Sequence, residues 1–340
     1  MKEGLIMQLQ LLDCTLRDGA NVVGKGFPAD ITKMVIEGLL ENNIKVIEYG
    51  NASGIGAYEV SNMIAPLNDQ EYLDLAKPYA DQAELGMFLN AARYRERYVG
   101  QAADNGMKFL RVGAEPGMYA QALAPIKEIK KRGMKARYSL MKAYLASPQK
   151  LSEEAKLLQD CGLDEITIMD SAGTMMPDDV AEYTSALVSA VEIPVGFHGH
   201  NNLGMSSANA IAAYRHGARV LDCGLMGMAR SAGNLATENA VVLMQKIGEL
   251  EEIDMFCLLD FIDQELAPKM AEHNYYAPVK PMDLILGYSG AHSSYQKTFQ
   301  RVAEENQVPV YKLISVVSEL NKRNPTAAQM EAIANYVKGS

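Results

Sequence analysis

The chain has 340 residues, enough to bury a large core in one domain with a modest extension. An apolar content of 48% with 22% charged residues is ordinary for a globular protein, and a net charge of −10 argues against nucleic acid, which needs a clustered basic face. No apolar run approaches the roughly 20 residues of a membrane span, residues 1–4 are no secretory signal, and four scattered cysteines without a C-x-x-C pair suit reduced thiols in a cytoplasmic enzyme.

Along the chain, short β-rich runs fall near 9–16, 44–50, 84–89, 109–113, 134–141, 165–170, 194–200 and 218–224. The stretches between them, such as 32–42 and 206–216, are long enough for crossover helices. Four helical stretches close on a glycine, at Asn105-Gly106, Arg132-Gly133, Cys161-Gly162 and His216-Gly217, where a left-handed residue caps the exposed carbonyls before the next strand. A repeated helix–glycine–strand unit reads as successive βα units with parallel strands. Eight such units over about 225 residues predict a TIM-type (β/α)₈ barrel. A Rossmann sheet would show G-x-G-x-x-G after its first strand; Gly54-Ile55-Gly56 follows the second and lacks the rest. After Val241 the strand pattern stops, and 250–340 reads as amphipathic helices around a loop at 273–281. The expected division is a barrel over 1–245 and a C-terminal helical extension over 246–340.

In such a barrel the chemistry sits at the C-terminal ends of the strands. The first run ends in Asp13-Cys14-Thr15-Leu16-Arg17-Asp18-Gly19, and the seventh in Phe197-His198-Gly199-His200. Two positions apart on a strand, His198 and His200 point to one face. Only five histidines exist in the chain, and Asp18 adds an anionic oxygen from a nearby strand end. Together they predict a divalent metal site. Mixed N/O ligation suits Mn²⁺, Mg²⁺, Co²⁺, Zn²⁺ or Fe²⁺, so the metal's identity stays open.

Arg17, beside the ligand, either binds a carboxylate or enolate oxygen or makes a salt bridge across the barrel mouth. Ser171, after the sixth run, either donates to a substrate carboxylate or is a turn residue. Glu48, at the second, either supports the site or pairs with a neighbouring charge. The glycine-rich stretch 224–234 either cradles an anion with its N–H groups or forms tight turns. His216 belongs at a helix C-terminus, where a cation complements the dipole.

Thr15-Leu16-Arg17-Asp18-Gly19, His198-Gly-His200-Asn201-Asn202 and Gly233-Asn234 together resemble the motifs of the DRE-TIM metallolyases. Within that group the chain is most similar to the 4-hydroxy-2-oxovalerate aldolases, through Met169-Asp-Ser-Ala-Gly173, Ala146-Ser-Pro148 and Leu286-Gly-Tyr-Ser-Gly290. The resemblance implies Asp18, His198 and His200 as ligands of a divalent metal, Mn²⁺ foremost, Arg17 as enolate stabiliser and Ser171 near the substrate carboxylate. It departs at two places: the aldolases' catalytic histidine after R-D-G is here Asn21, and a tyrosine of their extension is here His292. His292 is therefore the expected base. The 3-hydroxy-3-methylglutaryl-CoA lyases share Gly233-Asn-Leu-Ala-Thr-Glu238, but 224–233 lacks their cysteine.

The expected activity is a class II aldolase that handles a 4-hydroxy-2-oxoacid through pyruvate enolate and an aldehyde. Its rivals are a Claisen-type condensation with an acyl-CoA and a metal-binding but inactive scaffold subunit, suggested by Asn21. The family resemblance further implies an acylating aldehyde dehydrogenase as partner, and a homo-oligomer is expected.

Overall fold

The structure, a computed structural model, describes residues 8–61, 63–275, 286–287 and 289–338. Residues 1–4, Tyr288 and most of the loop expected over 273–281 lie outside the described residues.

Eight parallel strands close a barrel in chain order: β1 (Gln10–Asp13), β2 (Val46–Glu48), β3 (Glu84–Asn90), β4 (Phe109–Ala114), β5 (Lys135–Leu140), β6 (Glu165–Asp170), β7 (Val195–Gly199) and β8 (Val220–Cys223). Each coincides with an expected run to within a few residues. The strands are short and almost wholly buried because the barrel interior covers one face and the helical ring the other. Gly106, Gly133, Gly162 and Gly217 all have positive φ, as the repeated helix ends require. The helix Pro148–Asp160 starts on Ser147, whose hydroxyl accepts the Lys150 N–H at 3.3 Å, with proline at the first helical position.

The barrel interior is ionic as well as apolar. Near the N-terminal ends of the strands, Arg137 on β5 reaches Glu165 at 2.6 Å and Glu84 at 3.3 Å, and lies over the Phe109 ring. Deeper toward the mouth, Arg111 on β4 grips Glu48 on β2 through Nε at 2.8 Å and Nη2 at 2.5 Å, and also pairs with Asp222 on β8. All three side chains are fully buried. Isolated charges there would cost several kcal/mol each, so the pairing is a condition of the fold. Leu12, Cys14, Val46, Phe109 and Val220 fill the space between these layers.

After β8, the helices Thr237–Gln245, Met255–Phe261 and Ala267–Ala271 follow. Leu258, Phe261, Leu266 and Met270 join the barrel's own apolar core. A second core gathers Leu286 with Phe299, Val302, Leu313, Ile314, Val317, Met330 and Ala334, the last seven from the helices Gln296–Asn306, Val310–Leu320 and Ala327–Lys338. The first core reaches Met270, with Tyr275 packed against it, and the second begins at Leu286. Apolar periodicity identifies those intervening helices but does not say which core takes them. No helix among the described residues is long and apolar enough to cross a membrane.

Candidate active site

The turn after β1 is drawn tight by one carbonyl. Cys14 O accepts the N–H groups of Arg17, Asp18 and Gly19 at 3.1, 2.8 and 3.2 Å, which brings Arg17 and Asp18 to the barrel mouth. His198 on β7 and His200 just past its end, in an isolated bridge with Asn234, line the same cavity, the period of two expected of extended chain. Gly173, after β6, has φ +60°, and a Cβ there would stand 2.7 Å from His200 O and Asn202 N. Glycine at that position lets the two loops lie against each other.

Asp18, His198 and His200 offer three ligand atoms within 4.8 Å of one another, all in buried residues. Asp18 Oδ2 lies 3.5 Å from His198 Nε2 and 3.7 Å from His200 Nε2. The His198 Nε2 atom is buried and has no hydrogen-bond partner among the described residues. Its other nitrogen, Nδ1, faces Asp222 Oδ2 at 3.0 Å. A histidine held by a carboxylate on one nitrogen and open on the other is the arrangement of a metal-ligating imidazole. The residues therefore fit a divalent cation.

The surrounding charges set the protonation states. Burial raises the Asp18 carboxyl, but Arg17 and the two histidines outweigh it and hold it well below its usual range. Burial drives His200 down to about 4, so it is neutral and available as a ligand. Burial alone would lift Asp222, yet Arg111 and the His198 hydrogen bond keep it at about 2.

Around this triad lies a cavity of about 270 Å³, lined also by Arg17, Ser171 and His292. Arg17 gives Nε to Glu48 at 2.6 Å and Nη1 to Asp18 at 3.2 Å, and its buried Nη2 is left without a partner. The two readings of Arg17 thus both apply: it is ion-paired and still has a free donor. Ser171 Oγ accepts the Lys142 N–H at 2.9 Å, which leaves its hydroxyl proton to donate. His292 reaches the cavity from the second core, with Nδ1 2.8 Å from Ser294 Oγ and 3.2 Å from the Ser294 N–H.

Two expected site residues stand elsewhere. Glu48, a candidate for the substrate site or for pairing with a neighbouring charge, is fully buried behind Arg17 and does not line the cavity; two arginines take its oxygens, which is the pairing reading. Asn21, a candidate catalytic residue because it stands where the aldolases carry their catalytic histidine, does not line the cavity either. It donates Nδ2 to Asp18 O at 2.9 Å and to Asp18 Oδ1 at 3.3 Å, and so positions Asp18. In 224–234 the turn reading accounts for 224–228, 233 and 234. Those N–H groups go to turns and anchors, among them Gly227 to Gly224 O, Asn234 to Gly227 O, Leu225 to Thr15 Oγ1 and Met226 to Glu238.

The sequence reading missed Arg111 and Asp222, which orient Glu48 and His198. The available signal was an arginine inside the otherwise apolar run of β4. It also missed Asn234 as a second holder of Asp18, at 2.9 Å, and three more cations that line the cavity, Arg93, Lys142 and Arg230.

Comparison with known proteins gives the family and the fold. The family model described as HMGL-like matches residues 8–263. A 4-hydroxy-2-oxovalerate aldolase from Moorella thermoacetica is 33% identical, over 96% of this chain and 95% of that one. One of the same name from Carboxydothermus hydrogenoformans is 32% identical, over 96% of each. Among solved structures, the N-terminal domain of a putative aldolase from Bacteroides vulgatus superposes with a TM-score of 0.70 at 22% identity, over 87% of this chain and 97% of that one. The carboxyl transferase domain of Rhizobium etli pyruvate carboxylase, solved with pyruvate, gives 0.76 at 17% identity, over 98% of this chain and 61% of that one; both likenesses concern the fold alone. With the barrel, the triad and relatives matched from end to end in agreement, the chain belongs to the HMGL-like family and is a carbon–carbon lyase of the aldolase type.

Proposed function

We propose that the protein is a divalent-metal-dependent aldolase that cleaves or forms a 4-hydroxy-2-oxoacid by way of pyruvate enolate. The observation that carries this reading is a pair of buried, unpartnered atoms at one cavity, His198 Nε2 and Arg17 Nη2. The names of the relatives support the substrate class. Asp18, His198 and His200 would hold the cation, Mn²⁺ first among those that mixed N/O ligands accept. When bound, it supplies Lewis-acid polarisation of the 2-oxo group.

The chain's own groups do the rest. In cleavage, the C4 hydroxyl proton passes to His292. The C3–C4 bonding pair becomes the C2–C3 double bond of the enolate, and C4 leaves as the aldehyde carbon. Arg17 Nη2 donates to the C2 oxygen as that oxygen gains charge, an interaction strongest in the transition state. Ser171 donates its hydroxyl to the C1 carboxylate. A proton delivered to C3 then gives pyruvate. A cytoplasmic location, a homo-oligomeric state and an acylating aldehyde dehydrogenase that takes up the aldehyde belong to the same proposal.

The test needs no knowledge of the aldehyde. Pyruvate incubated in D₂O with the Mn²⁺-loaded protein should exchange its methyl protons, followed by NMR. Exchange supports enolate chemistry and rejects an inactive scaffold. No exchange above a metal-only control overturns the aldolase reading. Release of free CoA from an acyl-CoA in place of aldol cleavage would favour a Claisen condensation.

A further inference from the structure

The cavity carries more positive charge than a pyruvate head can use. Arg17, Arg93, Lys142 and Arg230 all line it, and the only carboxylate among its lining residues is Asp18. Arg17 is answered by Glu48 and Asp18. Lys142 is answered by Glu115 at 2.8 Å, a carboxylate that also takes Arg323 at 3.4 Å. Arg93 and Arg230 are different. Arg93 donates Nη2 to the Ser53 carbonyl, its buried Nε has no partner, and it makes no ion pair among the described residues. The Arg230 side chain makes neither a hydrogen bond nor an ion pair among them.

This surplus is local. The chain holds 42 acidic against 32 basic residues, so carboxylates are plentiful, and the buried arginines elsewhere in the barrel are matched. Half-burying a guanidinium without a counter-charge is unfavourable unless a ligand supplies that charge. The field is felt by the neighbours: burial first, then Arg230 and Lys142, push His292 down to about 3.

Arg93 follows β3 and Arg230 follows β8, whereas the groups assigned to the 2-oxoacid head follow β1, β6 and β7. We propose that the substrate carries a second anion, a carboxylate or phosphate on its aldehyde half, held by Arg93 and Arg230. Guanidinium groups suit either oxyanion, because both accept paired, planar donors. The assignment of the other half of the substrate rests on the aldolase reading.

The test compares ligands that share a 2-oxoacid head. On Mn²⁺-loaded protein, 2-oxoglutarate should bind roughly 10- to 100-fold more tightly by calorimetry than 2-oxopentanoate, which has a methyl group in place of the distal carboxylate. R93Q and R230Q should each shrink that ratio, with retained metal reporting that the variants are folded. Aldol addition of pyruvate then separates the two sources of anion. Glyoxylate against acetaldehyde reads carboxylate, and glyceraldehyde 3-phosphate against glyceraldehyde reads phosphate, each as a ratio of kcat/KM. The proposal is overturned if neither anion is preferred in binding or turnover, or if the preference survives both substitutions. Preferential binding that R230Q removes, without pyruvate exchange in D₂O, supports the anion site and removes the aldolase reading instead.

Discussion

His198 Nδ1 and Asp222 Oδ2 face each other at 3.0 Å across neighbouring strands, and Asp222 is in turn gripped by Arg111. The carboxylate fixes the proton on Nδ1, so the Nε2 lone pair points to the triad. Asp222→Asn keeps the shape but removes the charge that makes the imidazole a strong ligand. Affinity for Mn²⁺, measured by chelator competition, should fall by roughly 10- to 100-fold. An unchanged affinity would mean that His198 ligates nothing.

His200→Ala should remove one of the three ligands and abolish metal retention through gel filtration. Metal content per chain is the readout. Full retention would show that the ligands lie elsewhere.

Arg17→Lys keeps a positive charge but loses the planar fork that serves Glu48, Asp18 and the free Nη2 at once. Steady-state kinetics should show kcat reduced far more than KM is raised, the mark of an interaction made chiefly in the transition state. Normal turnover would leave Arg17 with its ion pairs alone.

His292→Ala should slow pyruvate exchange or aldol cleavage by roughly 10²–10⁴-fold, the usual worth of a positioned general base. Metal content should not change, since His292 stands outside the triad. Because Arg230 depresses His292, an anion neutralising that arginine would also make the imidazole a better proton acceptor. Near-native rates in the variant would pass the proton transfer to another group.

Asp13 offers a test of stability. Burial raises its carboxyl to about 6, against hydrogen bonds from the Thr15 N–H at 2.9 Å and the Thr237 hydroxyl at 2.7 Å. Between the unfolded value near 3.8 and about 6, the folded chain holds the proton more firmly than the unfolded one. Its contribution is therefore fully present at low pH and lost as pH rises through that window, by roughly 3 kcal/mol. Asp13→Asn keeps an acceptor for Thr15 and cannot ionise. Urea unfolding of the variant should lack this fall, leaving it more stable than the native chain at pH 7.

The barrel and the triad were legible because their signals are local and periodic. His198 and His200 sit two apart on one strand, and the helix-closing glycines mark the units. Arg111 and Asp222 were not legible as partners, since they lie on strands far apart in sequence and only closure of the sheet brings them together. Glu48 sits at the right strand end, but register and depth, invisible in composition, turn it toward two arginines. Asn21 was singled out because it stands where the aldolases carry a histidine, yet the short turn aims it back at Asp18.

His292 is borne by the body that owns the second apolar core, while the triad belongs to the first. On the proposed roles, proton transfer and metal retention would depend on two separate apolar cores. Warming should loosen the smaller one first, because less apolar surface secures it. The enzyme would then fall silent with its ion still in place, and cooling would restore turnover without reloading.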